Sequence, residues 1–567
     1  MALIDKASLL MVPSTYEAGK LYNVLPSGNR APDSTDQNSG YDQTRADFDF
    51  DRGSNAAATR IGSDGLIKKY RENLLTESNN FSDSDWTKNT IGSVASGHEG
   101  YDGTNGAWLI TKSSAVAYVN LYQAVSFSGV QTFSVYAKAG TLSAFGIYTS
   151  GGTNPYVVVD LSTGTIISSR SSVINKKMED VGNGWYRVSM AFNETIAGVH
   201  IYPDWNQTNT GNLYIQNAQL ETGLVATDYL DSGATTAKAG VLVDLPRINY
   251  DANGENGSLL LEPSRANFVQ YSEYFGAWSD ALGCDIYNNT AVSPEGVQNA
   301  ATISFGGSAD SRAFLSFSAS SSTYIFSIYA KSSTSKKFRF RISGSGGTQY
   351  SADLTTTSEW KRFEFEYTGD ISVVGLTNES SATGGSINVF GFQAEAGSYP
   401  TSYIPNHGTT GGVTRAADSC SVTGVSDVIG QTEGTIFAEI DSSQFLTGSY
   451  ISISDGGTSN RQIFGWEAQS GDSGTLRLYG FWNGFAYSSF SKGQKIKVAL
   501  AYKNNDFALY VNGTQAGTKT SATISGTLSQ FGFNSGGGAQ KYQGNAYQLA
   551  LFKERLSNAE LATLTTL

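Results

Sequence analysis

Five landmarks occur twice in this chain, in the same order, and this duplication constrains the fold more than any other feature. The first copy carries them at residues 73–81, 133–138, 160–161, 185–187 and 219–223, and the second at 267–275, 326–331, 353–354, 360–362 and 393–397. The second copy is 18 residues shorter between its third and fourth landmarks, and its other landmark spacings differ by at most one residue. Ordered landmarks with one local shortening indicate two copies of a single domain.

Within each copy, apolar and polar residues alternate with a period of two. Residues 132–138 place Phe133, Val135 and Ala137 on one face, and residues 337–342 alternate even more regularly. Such runs are typical of half-buried antiparallel strands. Glycine-rich turns separate them, so we predict an all-β chain of tandem antiparallel sandwiches, in which two jelly-roll repeats precede a different sandwich.

The region 428–567 differs in pattern from both copies. Its strand-like runs lie at 434–440, 495–502, 506–511 and 547–552. Asn512-Gly513 follows the third run and is a strong signal for a tight hairpin. Ser557, with Glu560 three residues later, predicts a capping box at the start of a short C-terminal helix.

These patterns predict six parts of the chain. They are an N-terminal docking arm with a β-hairpin connector at 1–72, a first jelly-roll module at 73–232, a hairpin connector at 233–266, a second jelly-roll module at 267–406, a linker at 407–427 and a final sandwich at 428–567. The arm is polar and rich in turn-forming residues, which suits a segment that docks on another protein. Disorder in isolation is the alternative for the arm.

Charge and hydropathy argue against several functional classes. The formal net charge is −12 and the basic residues are scattered, so we expect no binding of nucleic acid. No apolar run approaches the roughly 20 residues that span a bilayer, so we expect no membrane insertion. The N-terminus lacks the cationic start and long apolar core of a secretion signal, which predicts synthesis in a host cytoplasm without export.

The two cysteines, Cys284 and Cys420, fall in different predicted parts of the chain. Two such residues make neither a disulfide framework nor a four-cysteine zinc site. We therefore predict two free, buried thiols.

Residues 509–513 and 551–560 resemble two motifs of the concanavalin A-like, laminin G-like sandwich family. In that family the first motif is a strand and hairpin of the convex sheet, and the second is the closing strand with its helical turn. The two motifs occur here in the family's order and separation. The resemblance covers the final sandwich and implies a lectin-like domain.

The duplicated modules resemble the carbohydrate-binding-module-like jelly rolls of bacteriophage tail and virion proteins. The runs that carry this resemblance are 73–78, 133–138, 180–187, 393–405 and 413–420. It covers roughly residues 46–425 and implies a structural protein located in the virion. It also implies contacts with other virion proteins through the N-terminal arm, binding of host cell-surface glycans, and a homo-oligomer.

A search for reactive groups gives no catalytic, metal or cofactor prediction. His98, His200 and His407 each stand alone in sequence and are interpreted as isolated surface or loop histidines. Glu439 and Asp441 match part of an acidic motif of laminarinase-type sandwiches, but its third acid is missing. We interpret the pair as the edge of a structural strand and expect a protein that is not an enzyme. Lectin-like sandwiches can bind calcium, but no Asp-x-Asp-x-Asp loop occurs here, so the sequence makes no prediction of bound calcium.

Glycan binding is the more plausible chemistry, because sugar rings stack on aromatic side chains and sugar hydroxyls bond to amides and carboxylates. Trp482, Asn483 and Tyr487 surround an Asn-Gly turn and form the first candidate site. Tyr202 and Trp205 form the second. The alternative for the first is a role in the core or at a sheet edge, and for the second a role in the core or at an interface.

The leading hypothesis is therefore a phage tail-fibre or receptor-binding subunit that binds host-surface glycans. Two alternatives remain open from the sequence. The first is a head fibre, capsid-decoration or other tail-surface scaffold protein without receptor binding, and the second is a polysaccharide-degrading tail enzyme.

Overall fold

The computed structural model describes residues 3–15, 48–53, 57–441, 448–467, 475–480, 485–491 and 493–567. Antiparallel sheets dominate this part of the chain, which confirms the predicted all-β fold class. Unit 1 comprises Met1–Lys68, Val241–Arg265 and Arg415–Leu567, whereas unit 2 comprises Lys69–Gly240 and Ala266–Thr414. The six predicted ranges stay predictions. No helix in the described ranges is long and apolar enough to cross a membrane.

Unit 1 is a sandwich of two sheets. In spatial order, the strands of the first sheet are Ile248–Asn249, Ser258–Leu261, Gly544–Phe552, Glu433–Asp441, Lys495–Lys503, Phe507–Val511 and Thr514–Lys519, and Leu9–Met11 also pairs with Gly544–Phe552. Those of the second are Asp49–Asp51, Ser419–Thr423, Gln530–Gly532, Ser449–Ser454, Arg461–Glu467, Thr475–Gly480 and Phe485–Ser491. A hairpin pairs Thr59–Ile61 with Ile67–Lys69, and 3-10 turns span Leu3–Lys6 and Pro13–Thr15.

The hairpin predicted at Asn512-Gly513 is confirmed. Both residues have positive φ, 48° and 79°, and they join the paired strands Phe507–Val511 and Thr514–Lys519. This conformation matches the right-handed twist of the two strands and is accessible to Asn and Gly at little cost.

A buried ionic cluster ties together the three chain segments of unit 1. It contains Arg52, Arg247 and Arg415 with Glu262 and Asp418, and their side chains are at most 3% exposed. Arg247 Nη1 lies 2.7 Å from Glu262 Oε2, and its Nη2 bonds to Asp418. Arg415 also bonds to Glu262, and Arg52 lies 3.7 Å from Asp418. Main-chain carbonyls accept further hydrogen bonds from all three guanidinium groups.

A helix at Asn558–Thr565 closes unit 1 and begins with the predicted capping box. The Ser557 hydroxyl accepts a hydrogen bond from the Glu560 N–H, and the Glu560 carboxylate accepts one from the Ser557 N–H. Lys6 lies 2.7 Å from the same carboxylate, and these contacts lower the pKa of Glu560 to about 2. Leu561 is buried and anchors the helix.

We expect Ser557→Ala to destabilise the C-terminal helix by about 1 kcal/mol, because one orphan N–H of its first turn loses its acceptor. Faster hydrogen exchange in peptides from residues 556–567 would report the loss. Thr563→Ala is the matched control, since it removes a hydroxyl from the same helix without touching the cap. Equal exchange in the two variants would contradict the prediction.

The first copy in unit 2 is a sandwich of two facing sheets. In spatial order, one sheet contains Val173–Gly182, Trp185–Asn193, Val130–Ala139, Gly211–Thr222, Ala107–Lys112 and Ser93–His98. The other contains Thr165–Ser169, Tyr156–Asp160, Ala144–Ser150, Ile196–Tyr202, Asn120–Phe127 and Thr87–Asn89. Phe133, Val135 and Ala137 are fully buried between them, as their alternation predicts. A ribbon pairs Arg71–Asn73 with Ala237–Ala239.

The second copy uses two long strands that run through both layers. In spatial order its strands are Asp285–Ala291, Ala300–Phe305, Gly385–Ala396, Arg312–Lys331, Lys361–Asn378, Lys337–Gly344 and Gly347–Tyr350, with Ser279–Ala281 and Leu354–Thr355 at the side. A ribbon pairs Arg265–Asn267 with Val413–Arg415, and a 3-10 turn spans Phe275–Ala277. Phe338, Phe340 and Ile342 are fully buried in its core.

Matching residues of the two copies make matching polar contacts. Asn73 and Asn267 are fully buried, and each donates to two carbonyls while accepting from two N–H groups. Glu221 and Glu395 each accept both the N–H and the hydroxyl of a threonine six residues later. The polar residues of the landmarks thus form hydrogen bonds with buried backbone N–H and C=O groups, which need partners because water cannot reach them.

Trp86, Trp185, Trp278 and Trp360 recur at matching places in the two copies, which predicts that all four lie in the repeated cores. The structure confirms this only for Trp86 and Trp278. Trp185 is 1% exposed but belongs to a small separate cluster with Tyr136. Trp360 is half-buried at the surface, where its indole N–H donates to a carbonyl. It precedes the strand Lys361–Asn378, whose phenylalanines Phe363 and Phe365 contact the core.

A second buried polar cluster lies within unit 2. Lys69 Nζ is 2.9 Å from Glu295 and 3.6 Å from Glu273. The Tyr403 hydroxyl donates to Glu273 at 3.0 Å, and His407 Nε2 lies 3.8 Å from the same carboxylate. Lys69, which precedes the first copy, therefore shares one charge network with residues of the second copy.

Candidate functional site

The outer face of one sheet in the first copy carries a row of aromatic side chains. Tyr156, Tyr148, His200 and Tyr122 lie on four neighbouring strands and are paired directly with one another in register. Their sequence neighbours Val157, Ile147, Ile201 and Leu121 point into the core. Since directly paired residues share a face, the four rings lie side by side, half exposed, across the sheet.

Two glycines let the rings lie flat against this sheet. Gly146 occupies the row next to Tyr148, and a Cβ there would meet the Trp205 ring at 2.5 Å. A Cβ at Gly198 would meet the Tyr122 ring at 2.1 Å. Any larger side chain at either position would lift a ring off the sheet.

Trp205 and Tyr202 complete the site, which we call the aromatic face: Tyr122, Tyr148, Tyr156, His200, Tyr202 and Trp205. The ring of Trp205 lies 4.9 Å from that of Tyr156 and 5.3 Å from that of Tyr202. The Trp205 N–H donates to the Ala144 carbonyl at 2.7 Å, which fixes its loop on the strand. Neighbouring rings of this set have their centres 4.5–6.2 Å apart.

Polar groups lie within and beside this surface. His200 Nδ1 is 3.3 Å from the Asn120 side-chain oxygen, and its buried Nε2 has no hydrogen-bond partner within the described ranges. Burial lowers the pKa of His200 to about 4, so the ring is neutral at pH 7. Asn89 donates to the same oxygen of Asn120 at 3.1 Å. Amide and imidazole groups of this kind can bond to sugar hydroxyls.

An exposed tyrosine stands near the aromatic face. Tyr118 is 71% exposed and has φ +64°, a conformation that costs a bulky side chain free energy. Its N–H donates to the Gln207 side chain at 3.3 Å, on the loop that carries Trp205. The turn before the strand Asn120–Phe127 thus holds an exposed aromatic ring on a strained backbone.

The residues proposed from sequence have different outcomes. Tyr202 is 7% exposed and Trp205 is half-buried, and both belong to the aromatic face. Trp482 and Asn483 lie outside the described residues. Tyr487 lies in the strand Phe485–Ser491, and its side chain is likewise outside the described part. The glycan-binding roles of all five stay predictions.

The interpretation of the histidines as isolated surface or loop residues is wrong for His200 and His407. His200 lies on a strand among tyrosines, and the His407 side chain is 12% exposed and lies 3.8 Å from Glu273. Tyr122, Tyr148 and Tyr156 were missed as well. The alternation of residues 199–202, with His200 and Tyr202 facing outward, is a usable signal, but the pairing that aligns four strands has no local signature.

Unit 2 also contains a crevice of about 440 Å³ with charged walls. Arg187 donates to Ser134 at 3.1 Å, and its guanidinium lies 5.1 Å from the Tyr136 ring centre. Lys177 pairs with Glu179 at 3.0 Å. These charges are engaged with neighbouring side chains, so the aromatic face is the stronger candidate for a ligand.

The acidic pair of the final sandwich is engaged by its own sheet. Asp441 is 6% exposed and accepts hydrogen bonds from the Tyr547 hydroxyl at 2.7 Å and the Asn545 amide. Glu439 lies 3.5 Å from Lys495 Nζ. Within the described ranges, no three His, Cys, Asp or Glu side chains are grouped so as to hold a metal ion.

No family model matches the sequence, and no curated protein matches it. Among solved structures the chain is similar to domain 4 of AbnA, an extracellular GH43 arabinanase of Geobacillus stearothermophilus in complex with arabinotriose. The identity is 14% and the TM-score 0.22, over 26% of this chain and 73% of that one. It is also similar to the CBM40 of a Ruminococcus gnavus sialidase bound to α2,3-sialyllactose, at 20% identity and TM-score 0.19, over 24% and 83%.

Two further structures match most of the chain. The sialidase of Trypanosoma rangeli, in complex with 2,3-difluorosialic acid, matches at 9% identity and TM-score 0.21, over 90% of this chain and 93% of that one. The LG1–3 region of the laminin α2 chain matches at 10% identity and TM-score 0.12, over 78% and 96%. The similar structures therefore include carbohydrate-binding sandwiches and a laminin G-like region, and none of the four is a phage protein.

The comparison corrects the expectation that the protein is not an enzyme. A sialidase and a domain of an arabinanase are among the structures that it resembles, so the non-enzymatic interpretation is not maintained. TM-scores of 0.21 and 0.22 give no argument for a hydrolytic activity of this chain either.

Proposed function

We propose that this chain binds carbohydrate through the aromatic face of unit 2, as a subunit of a bacteriophage particle. The observation that carries the proposal is the row of Tyr156, Tyr148, His200 and Tyr122 across four paired strands. Partly exposed aromatic rings provide stacking surfaces for the C–H faces of sugars. The exposed amide of Asn89, beside this row, is a group that can form directional hydrogen bonds to a sugar ring.

We expect Trp205→Ala to weaken glycan binding at least tenfold, which corresponds to about 1.4 kcal/mol of lost stacking. A glycan array with the purified chain would identify a ligand, and calorimetry would then compare the variant with the wild type. Tyr287→Ala is the matched control, because Tyr287 is 52% exposed but lies outside the aromatic face. Undiminished binding by Trp205→Ala would refute the assignment of the site.

The phage setting is supported by the resemblance of the duplicated modules to virion jelly rolls. In this proposal the chain is a tail-fibre or receptor-binding subunit that contacts other virion proteins through its N-terminal arm. Several copies in one appendage would multiply a weak affinity for host glycans by avidity. The alternative setting is a head fibre or capsid-decoration protein without receptor binding.

Two measurements separate these settings. Antibody raised against the chain should label particles at the tail if the chain is a fibre subunit, and at the capsid if it is a decoration protein. The purified chain should also bind host cells and compete with particle adsorption. Failure to label any particle would remove the phage setting while leaving the carbohydrate proposal testable.

A further inference from the structure

The second copy presents a different surface at the place where the first presents the aromatic face. Its strands Gly347–Tyr350, Lys337–Gly344, Lys361–Asn378 and Arg312–Lys331 neighbour one another in the order seen for the four aromatic strands. The corresponding row across them is Tyr350, Arg341, Gly375 and Phe314. The second copy therefore has a row at the equivalent place on its sheet, but the side chains in that row differ in chemistry from those of the first copy.

Arginines surround this row, and we call the set Arg312, Phe314, Arg339, Arg341 and Tyr350 the basic face. Arg339 and Arg341 alternate with the buried Phe338 and Phe340, so both point outward. The Arg312 guanidinium lies 5.6 Å from the centre of the Phe314 ring, and the Arg339 guanidinium lies 4.7 Å from that of Tyr350. Cations and rings are thus paired over the sheet.

The row of side chains has a gap at Gly375, where the neighbouring backbone packs closely. Gly375 stands where the first copy has His200, and a Cβ there would come within 2.5 Å of the Ala313 carbonyl. The position between Arg341 and Phe314 therefore carries no side chain. A sugar ring placed there would contact the half-exposed Phe314 ring and bring its substituents towards Arg341.

The charge around the gap is only partly balanced. Arg339 lies 3.7 Å from Asp353, and Asp310 accepts a hydrogen bond from the Tyr350 hydroxyl at 3.2 Å. Arg341 donates to the Thr348 hydroxyl and Arg312 to the Asp310 carbonyl. Within the described part of the chain, neither Arg312 nor Arg341 has a carboxylate at ion-pair distance.

We propose that the basic face binds carboxylated glycans, with Arg341 and Arg312 receiving the sugar carboxylate and Phe314 stacking on its ring. Guanidinium groups form two parallel hydrogen bonds with a carboxylate, which suits a uronate better than a neutral hexose. The proposal deepens the proposed function, since it assumes that this outer face contacts glycan in both copies. The first copy then takes neutral sugar and the second takes acidic sugar.

Polygalacturonate and its carboxyl-reduced form are the probes, because they share one backbone and differ only in the charged group. We expect the full chain to bind polygalacturonate at least tenfold more tightly than the reduced polymer, and increasingly weakly as salt rises. Arg341→Gln should lower the affinity for polygalacturonate at least tenfold, whereas Arg341→Lys should lower it less. Lys238→Gln, which removes an exposed cation elsewhere in unit 2, is the matched control.

Equal binding of the two polymers by the wild-type chain would overturn the proposal without any variant. So would wild-type affinity in a correctly folded Arg341→Gln protein. Trp205→Ala separates this proposal from the previous one, because it should leave polygalacturonate binding intact. If neutral glycans fail to bind at all while polygalacturonate binds through Arg341, the aromatic face is wrong and the basic face stands.

Discussion

Replacing Arg247 by methionine should lower the free energy of unfolding of unit 1 by about 3–5 kcal/mol. Arg247 is fully buried and bonds to both Glu262 and Asp418. Methionine fills part of the volume, but it leaves the carboxylates of Glu262 and Asp418 in the interior with less positive charge beside them. Removal of one partner from a buried ionic group costs far more than the group contributes as a whole, because the remaining charges stay desolvated.

Urea denaturation of the full chain, combined with hydrogen exchange in peptides of unit 1, would measure this loss. Lys503→Met is the matched control, since it also removes an ion-pair cation from unit 1. The partners Lys503 and Glu433 are 53% and 35% exposed, so their pair should contribute less than about 1 kcal/mol. If the two variants lose similar free energies of unfolding, the buried cluster does not hold the segments of unit 1 together.

The second large effect is a loss of stability in unit 2 as the pH falls from about 6.5 towards 3. Burial lowers the pKa of His407 to about 3, with a further contribution from Lys69, while Glu295 opposes them. The folded protein thus keeps this ring neutral while the unfolded chain takes up a proton near pH 6.5. Stability from His407 is present above that value and falls by about 1.4 kcal/mol for each pH unit below it.

Denaturation midpoints of wild type and His407→Gln between pH 7 and pH 4 would test this dependence. The variant should have a shallower slope, since glutamine takes up no proton. Glu273, Glu295, Lys69 and Tyr403 surround the ring, and burial raises the pKa of Glu295, which titrates in the opposite sense. The difference between wild type and variant isolates His407, and identical slopes would contradict the prediction.

Much of the fold could be predicted because its signals are local. The alternation at Phe133, Val135 and Ala137 gives a strand and its buried face, and Asn512-Gly513 gives a hairpin. The recurring Asn73 and Asn267 identify the duplication, although their role could not be predicted. Each bonds to backbone groups more than 120 residues away, and no local pattern records such a distance.

The candidate site was predicted only in part for the same reason. Tyr202 and Trp205 drew attention because they are close in sequence. Tyr122, Tyr148 and Tyr156 join them only through strand pairing, and pairing depends on registers that single strands do not specify. The contrast between His200 and Gly375, on which the basic face depends, appears only when both copies are aligned by register.

The interrupted path of the chain through unit 1 has a consequence for its biosynthesis. Leu9–Met11 pairs with a strand at Gly544–Phe552, near the other end of the chain, whereas all of unit 2 comes from residues between them. On a ribosome, unit 2 can therefore fold while the first segments of unit 1 still lack partners. Completion of unit 1 must wait for the last strand to emerge, so ribosome stalling late in the message would leave apolar strand edges exposed to aggregation.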